Sequence, residues 1–470
     1  MNPLQISTAE FRRLAERVTQ LSAEYLEDLD SKPISPPTTG EESFRLFHAP
    51  LPEQGLGEHA LDDIAVVINA SRVQNGRFFG YVLGSGEPVG AVADLVASVL
   101  NQNVTAWRSG PAAVMIEKTV VGWLAQAIGC GDFRGYLTGG GSSANLMGLT
   151  MAREAIARAN ERGITGRAVV YASEEIHMSI PKSVALLGVG RDNFRVIPTD
   201  TGLRMDLKAL EAEISHDKAE GKTPLAIVAS AGTVKTGAID PLVQIAGIAR
   251  QHGAWFHIDG AYGALAAIAE PEKFSGMNLA DSISLDPHKW LYQPLDCGCL
   301  LYRSADAAQQ AFSHSGDYAR ALTADPVEGF AFFEESLELS RRFRALKLWI
   351  SLRYHGLAAF RESIKKDLSQ AHRLAEAIKG EPKLELIATG ELSAVCFRFR
   401  ARGAKADEEL NQFNLQLLGR IVKRGRVYLS NAAIAGKFCL RACIVNHRTT
   451  DVDVDAVVAE VLAAAQEMPA

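Results

Sequence analysis

The chemistry of this chain is most legible around Lys289. It stands in Ser284–Trp290, SLDPHKW, where a β-rich run ends at Leu285 and Asp286, Pro287 and His288 follow. Proline cannot extend a strand ladder and fixes a turn, so the lysine lies just past the end of the run. A lysine held there and stripped of water loses its proton and becomes a nucleophile toward an aldehyde. Taken alone it reads as a solvated surface lysine, as most lysines are. Upstream, AWFHIDGAYG is an apolar run that ends in Asp259 and continues in small residues and an aromatic. A carboxylate closing a buried strand needs a partner. A protonated pyridine nitrogen would serve, because protonation there lets such a ring absorb an electron pair. Capping a turn or binding a metal would also satisfy it.

Three further segments carry groups of the right type. Leu137–Leu149, LTGGGSSANLMGL, places three glycines and two serines ahead of a helix of small and apolar residues. Backbone N–H groups at such a helix start bind phosphate, and serine hydroxyls add donors, which singles out Gly141 and Ser142. The stretch is not a Walker A loop, because the GK[ST] ending is missing. Gly139-x-Gly141-x-x-Ala144 fits a loose dinucleotide fingerprint, but that motif expects an acid about 20 positions on, and Glu174 and Glu175 come too late. His177, in YASEEIHMS, follows another β-rich run and could stack on an aromatic ring and pass a proton, or be a hydrogen-bonded core histidine. Thr233, in ASAGTVKTGAIDP, could hold a cofactor oxygen or simply shape a turn. Cys297 and Cys299 flank one glycine, yet no second Cys/His pair stands near to complete a metal site.

These residues need a frame. β-rich runs at 168–171, 194–197, 225–229, 254–258, 282–285 and 299–302 alternate with helical stretches such as 144–161 and 242–251. That pattern predicts an α/β fold with a mostly parallel sheet, helices on both faces, and ligands at the carboxyl ends of the strands. Residues 8–30 read as an amphipathic helix, ended by the proline-rich 32–40, whose apolar stripe must pack on the rest of the chain or on another subunit. Residues 304–338 read as a long polar loop, and LSRRFRALKLWISLRYHGL as the helix after it. The tail from about 360, with strands at 394–398 and 438–445, suggests a smaller α/β domain. The expected division is 1–88, 89–358 and 359–470.

The chain has 470 residues and a formal net charge of −6, with 47% hydrophobic and 22% charged residues. This fits a globular protein with no nucleic-acid partner. No apolar stretch is long enough to span a bilayer, no signal peptide is evident, and six cysteines in mostly apolar surroundings read as buried thiols. The cytoplasm is the expected location and no metal is expected.

Taken together, TGGGSSANL, EEIHMS, AGTVKTGAIDP, HIDGAYGA, LDPHKW and LSRRFRALKLW resemble the group II pyridoxal-5′-phosphate (PLP) decarboxylases, the family of aromatic-L-amino-acid and glutamate decarboxylases. The likeness extends through NGRFFGYV, WRSGPAA and LRACIVNHRTTDVDVDAV, over nearly all the chain from about residue 30. It implies a type I PLP-dependent, aspartate-aminotransferase-like fold and a homodimer with active sites at the subunit interface. The N-terminal segment would embrace the partner. It implies that Lys289 bonds the cofactor's aldehyde, with His288 before it. Asp259 would pair with the pyridine nitrogen, Ala261 pack beneath the ring, His177 stack on its other face, and Gly141 and Ser142 hold the phosphate. Tyr318 matches a loop tyrosine that protonates the substrate carbon.

Two departures stand out. Asp286 occupies a position that is Asn in some members, where it contacts the phosphate, and an ionised Asp would repel that dianion unless protonated or turned away. The GTT of relatives is GTV here, so Val234 donates no side-chain hydrogen bond. The expected reaction is decarboxylation of an L-amino acid to its amine, with closure of residues 313–333 excluding water. The alternatives are an aldehyde synthase on the same fold and a decarboxylase of an acidic amino acid. Phe78, Phe79, Tyr81 and Trp107 lie in segments that line the substrate pocket in relatives and suit an aromatic side chain. Val82 and Thr105 are smaller than their counterparts in animal aromatic decarboxylases. Arg108 could bind a second carboxylate or form a structural ion pair.

Overall fold

A computed structural model describes residues 2–36, 38–164, 167–314, 325–401 and 406–468. Its centre is a seven-stranded sheet built from β1 (Arg134–Thr138), β2 (Ala168–Ser173), β3 (Phe194–Ile197), β4 (Thr223–Ser230), β5 (Trp255–Asp259), β6 (Ser282–Leu285) and β7 (Gly298–Tyr302). The spatial order is β1-β7-β6-β5-β4-β2-β3. Neighbours from β6 through β3 are parallel, and β7 runs antiparallel to both β6 and β1. β1 therefore points the same way as the parallel strands, and its carboxyl end lies on their edge of the sheet. Every residue of β2, β5, β6 and β7 is buried, so both faces are covered. Such strands are continuous apolar or small-residue runs, which is what the sequence presents. The α/β, mostly parallel, type I arrangement is thus as expected.

A second sheet, β8 (Leu384–Thr389), β9 (Ala394–Phe399), β10 (Ser430–Ile434) and β11 (Lys437–Cys443), is antiparallel throughout in the order β10-β11-β9-β8. It has its own core, in which Phe79, Val395, Phe397, Leu417, Ile421 and Leu440 are buried.

Three elements differ from the sequence reading. The helix expected from Leu339 begins at Ala345 and bends at Gly356, where φ is +75°. The residues before it leave helical form because Arg341 turns inward. Its guanidinium donates to the Val104 carbonyl at 2.8 Å and the Leu137 carbonyl at 3.1 Å, pairs with buried Glu117, and stacks over Phe332. Glu117 in turn accepts from Leu137 N at 2.9 Å, so one ion pair ties β1 to the helix Pro111–Ala127. The expected loop 304–338 contains the helix Ala305–Phe312, capped by Ser304, and a turn at Phe332–Glu334 that buries Phe332. The N-terminal helix spans Thr8–Glu27, capped by Ser7, and none of its residues is fully buried. No helix among the described residues is long and apolar enough to cross a membrane.

Candidate active site

The carboxyl ends of β1, β2, β4, β5 and β6 open onto one cavity of about 280 Å³. Each strand sends its following turn into the wall. Gly139–Ser143 come from β1, His177 from β2, Gly232 and Val234 from β4, Asp259 and Ala261 from β5, and Asp286, His288 and Lys289 from β6. Eight residues singled out by sequence therefore meet at one place: Gly141, Ser142, His177, Asp259, Ala261, Asp286, His288 and Lys289.

The Gly141 end is a close approach of backbone to wall. The helix Gly141–Ala157 starts directly from Gly140, whose φ of +137° few residues other than glycine tolerate. A Cβ on Gly141 would lie 2.6 Å from Ala261 Cβ and 3.0 Å from Asp286 Oδ2. The first turn of a helix leaves its N–H groups without intrahelical partners, and here those belong to Gly141, Ser142 and Ser143 at the cavity. This is the chemistry of a phosphate cradle.

Beside this cradle Lys289 Nζ lies 2.9 Å from Asp286 Oδ2, the oxygen that also faces Gly141, and the second oxygen of Asp286 is buried with no hydrogen-bond partner. His288 donates Nδ1–H to the Cys297 carbonyl at 2.7 Å, and burial lowers its pKa, so the 3.6 Å approach of Nε2 to Asp286 is not an ion pair at neutral pH. Asp259 Oδ1 accepts from Ala261 N and Ser284 Oγ, both at 3.3 Å, which fixes the carboxylate at the cavity wall. His177 is half-buried, and burial lowers its pKa too, outweighing the nearby Asp259 and Asp286 carboxylates.

Other expected residues stand elsewhere. Thr233 turns into its own loop, with its hydroxyl 3.1 Å from Thr236 Oγ1 and accepting from Ala238 N at 3.2 Å, so the turn-shaping alternative describes its hydroxyl. Phe79 is wholly buried in the core of the small sheet and does not face the cavity, because that core takes up its ring. Tyr81, with φ +61°, hydrogen-bonds Tyr428 Oη at 2.9 Å, and Trp107 packs on the main core with its backbone N–H on the Phe330 carbonyl; neither lines the cavity. Arg108 is exposed and also outside the wall. Tyr318 lies outside the described residues.

Sequence reasoning assigned nothing to Asn145 or Tyr262, which also line the cavity. Asn145 carries the one available signal, an amide on a helix face otherwise made of small and apolar residues. Tyr262 stacks on Trp290 and bonds Ser393, which only the tertiary fold reveals. Arg441 was missed as well. It is buried, and its guanidinium donates to the carbonyls of Lys235, Tyr81 and Val234 beside the cavity. Among the described residues no cluster of three His, Cys, Asp or Glu side chains forms a metal-binding set.

A phosphate cradle, an amine beside it, a carboxylate fixed at a strand end and a neutral imidazole at the wall are the donor set that PLP requires, and the backbone approach at Gly141 gives it room. The comparisons agree. The pyridoxal-dependent decarboxylase conserved domain matches residues 41–400. An aromatic-L-amino-acid decarboxylase of Bacillus atrophaeus is 34% identical, covering 99% of this chain and 97% of its own. A phenylacetaldehyde synthase of Petunia hybrida is 30% identical, covering 93% and 90%. The crystal structure of Oryza sativa TDC with PLP and tryptamine superposes with a TM-score of 0.92 at 27% identity, covering 100% of this chain and 99% of that one. Fold, cavity and relatives converge, and the chain belongs to the family of PLP-dependent amino-acid decarboxylases.

Proposed function

We propose that this enzyme removes carbon dioxide from an L-amino acid with an aromatic side chain and releases the amine. The observation that carries the reading is the meeting of Lys289, Asp259 and His177 in one cavity that also takes in a helix start with glycine at its first position. The aromatic substrate is supported by relatives named as aromatic-L-amino-acid, tryptophan and tyrosine decarboxylases.

PLP, when bound, supplies the electron sink for the pair left as the Cα–carboxylate bond breaks. Gly141 and Ser142 would hold its phosphate through backbone N–H groups and a hydroxyl. Asp259 would hold a proton on the ring nitrogen, and Ala261 would support one ring face. Lys289 would hold the cofactor through its amine, which in the cofactor-free chain is paired with Asp286. His288, fixed by the Cys297 carbonyl, orients the turn that carries Lys289. His177, at the cavity wall, would cover the other ring face, and it or Tyr318 would return a proton to Cα. Thr233 contributes through the turn it shapes, and any contact of Phe79, Tyr81 or Trp107 with substrate is indirect or from another subunit.

A second reading, oxidative conversion to an aldehyde, is favoured by the likeness to a phenylacetaldehyde synthase. The acidic-substrate alternative relies on Arg108, which stands away from the cavity. We further propose a cytoplasmic homodimer divided at 1–88, 89–358 and 359–470. Apolar side chains stay exposed along the N-terminal segment of the single chain, among them Phe11, Phe44, Phe47 and Leu51, and a second copy would cover them. The test of function is a screen of the twenty amino acids and dopa for carbon dioxide release, with amine and aldehyde measured together. Release from an aromatic amino acid with amine as product is expected. Release only from acidic substrates would overturn the reading.

A further inference from the structure

Behind His177 runs a file of hydrogen bonds that the proposed reaction does not use. Trp255 Nε1 lies 2.8 Å from Ser282 Oγ, and Ser282 Oγ 2.8 Å from His257 Nδ1. His257 Nε2 lies 2.9 Å from Asn145 Oδ1, and Asn145 Nδ2 2.9 Å from Ser179 Oγ. Ser179 Oγ ends the file 2.9 Å from His177 Nδ1. The four links between the ends, Ser282, His257, Asn145 and Ser179, are all at most 3% exposed. Space has been made for it: a Cβ on Gly148, in the middle of a helix, would lie 2.7 Å from His257 Cε1. Glycine there costs that helix about 1 kcal/mol against alanine.

The direction of the file follows from its ends. An indole N–H can only donate, so Ser282 accepts from Trp255 and keeps its own hydrogen free to give to His257 Nδ1. His257 then carries its proton on Nε2 and donates to Asn145 Oδ1. The amide donates from Nδ2 to Ser179, whose hydroxyl is left to donate to His177 Nδ1. The backbone N–H of Ser179 points at the same nitrogen from 3.2 Å, and it too can only donate. Run the other way, His257 would donate through Nδ1 to the Ser282 carbonyl. The Ser282 hydroxyl would then lose its acceptor, and a proton on His177 Nδ1 would face the Ser179 N–H.

We infer that Asn145, His257 and Ser282 are positioning residues that, through Ser179, set the tautomer of His177, holding Nδ1 as an acceptor and the proton on Nε2, the nitrogen not engaged with Ser179. Burial keeps both rings neutral, that of His257 most strongly, with its pKa pushed down to about 3. The inference deepens the role given to His177 above and rests on it only for its effect on rate.

The test reads the nitrogens directly. Holoenzyme labelled with ¹⁵N and ¹³C in histidine is examined by magic-angle-spinning spectroscopy, with His177 and His257 assigned by loss of signal in His177→Gln and His257→Gln. In the wild type both rings are expected neutral and protonated on Nε2. Asn145→Asp keeps the shape but cannot donate. Ser179 should then turn its hydroxyl to the new carboxylate, the His177 Nδ1 resonance should move, and kcat should fall about tenfold with KM within about twofold. If that variant does not fold, Ser282→Ala takes its place, with the His257 and His177 nitrogens shifting together and Ser282→Thr restoring both. A proton on Nδ1 of either ring in the wild type overturns the inference. So do His177 resonances that stay put in the variants, whatever happens to thermal stability. Resonances that move as expected while kcat holds support the file and refute the role given to His177.

Discussion

Substituting Gly141 by alanine tests the cavity with a single methyl group. Carbon atoms in contact sit about 3.5–4.0 Å apart, so a Cβ only 2.6 Å from Ala261 Cβ must find about 1 Å of relief. Ala261 has no rotatable side chain to withdraw, and Asp286 on the other side is held by Lys289. The helix that starts at Gly141 is buried at eight positions and cannot back away as a body. Overpacking of this kind costs about 1–3 kcal/mol. The strain falls on the cradle itself, and a cradle displaced to relieve it binds the cofactor less well. At about 1.4 kcal/mol per tenfold, the PLP dissociation constant should rise about 5- to 150-fold. The assay is titration of apoenzyme with PLP, followed by tryptophan fluorescence. Ala261→Gly removes the nearest atom, so Gly141→Ala/Ala261→Gly should bind PLP better than Gly141→Ala alone. Binding by Gly141→Ala within about twofold of wild type, or a double variant no better than the single, would refute the packing argument.

Lys289→Ala should fold but yield no protein-bound cofactor after borohydride reduction; an undiminished adduct would show that another lysine is used. Tyr318→Phe should bind PLP normally yet shift product in air from amine toward aldehyde and peroxide, and wild-type amine yield without extra peroxide would pass its role to His177 or a water. Burial raises the Asp367 pKa to about 8, above its unfolded value. The native state therefore holds a proton that the unfolded state has lost, and stability contributed by this group falls as pH rises from about 4 to about 8. Asp367→Asn should flatten that decline in thermal midpoint, and an unchanged slope would count against it. Light scattering should find a dimer, and an active monomer would contradict the partner role of the N-terminal segment.

Much of the site is legible because its residues sit at strand ends, where an apolar run stops at a polar group. Asp259 after WFHI and Lys289 after SISLDPH are visible for that reason, and the parallel-sheet rule brings them to one edge. What local pattern cannot convey is direction within a turn. Thr233 and Val234 are adjacent, yet Val234 lines the cavity and the Thr233 hydroxyl closes its own loop. Phe79 and Tyr81 were read together, but one ring enters the core of the small sheet while the other sits half exposed on Tyr428. β1 went unrecognised because RGYLT has little apolar pattern; it is a strand because β7, far along the chain, supplies its ladder. The stretch before Ala345 has strong helical character, and only the buried Glu117 explains why Arg341 abandons it.

The reversed strand β7 also sets the order in which this protein can be made. Thr138, which leads into the glycine turn, pairs with Gly298, and Gly298 is pressed so close that a Cβ there would lie 2.4 Å from Gly140. At about 5–20 residues per second, a ribosome that has just finished β1 needs on the order of ten to thirty seconds to deliver β7. Until then the phosphate cradle lacks its wall, and Lys289, which emerges shortly before β7, has no completed pocket to serve. A nascent chain therefore has no complete phosphate cradle before β7 is made. A protein truncated before Tyr302 should lack that wall and be a substrate for proteases rather than a partial enzyme.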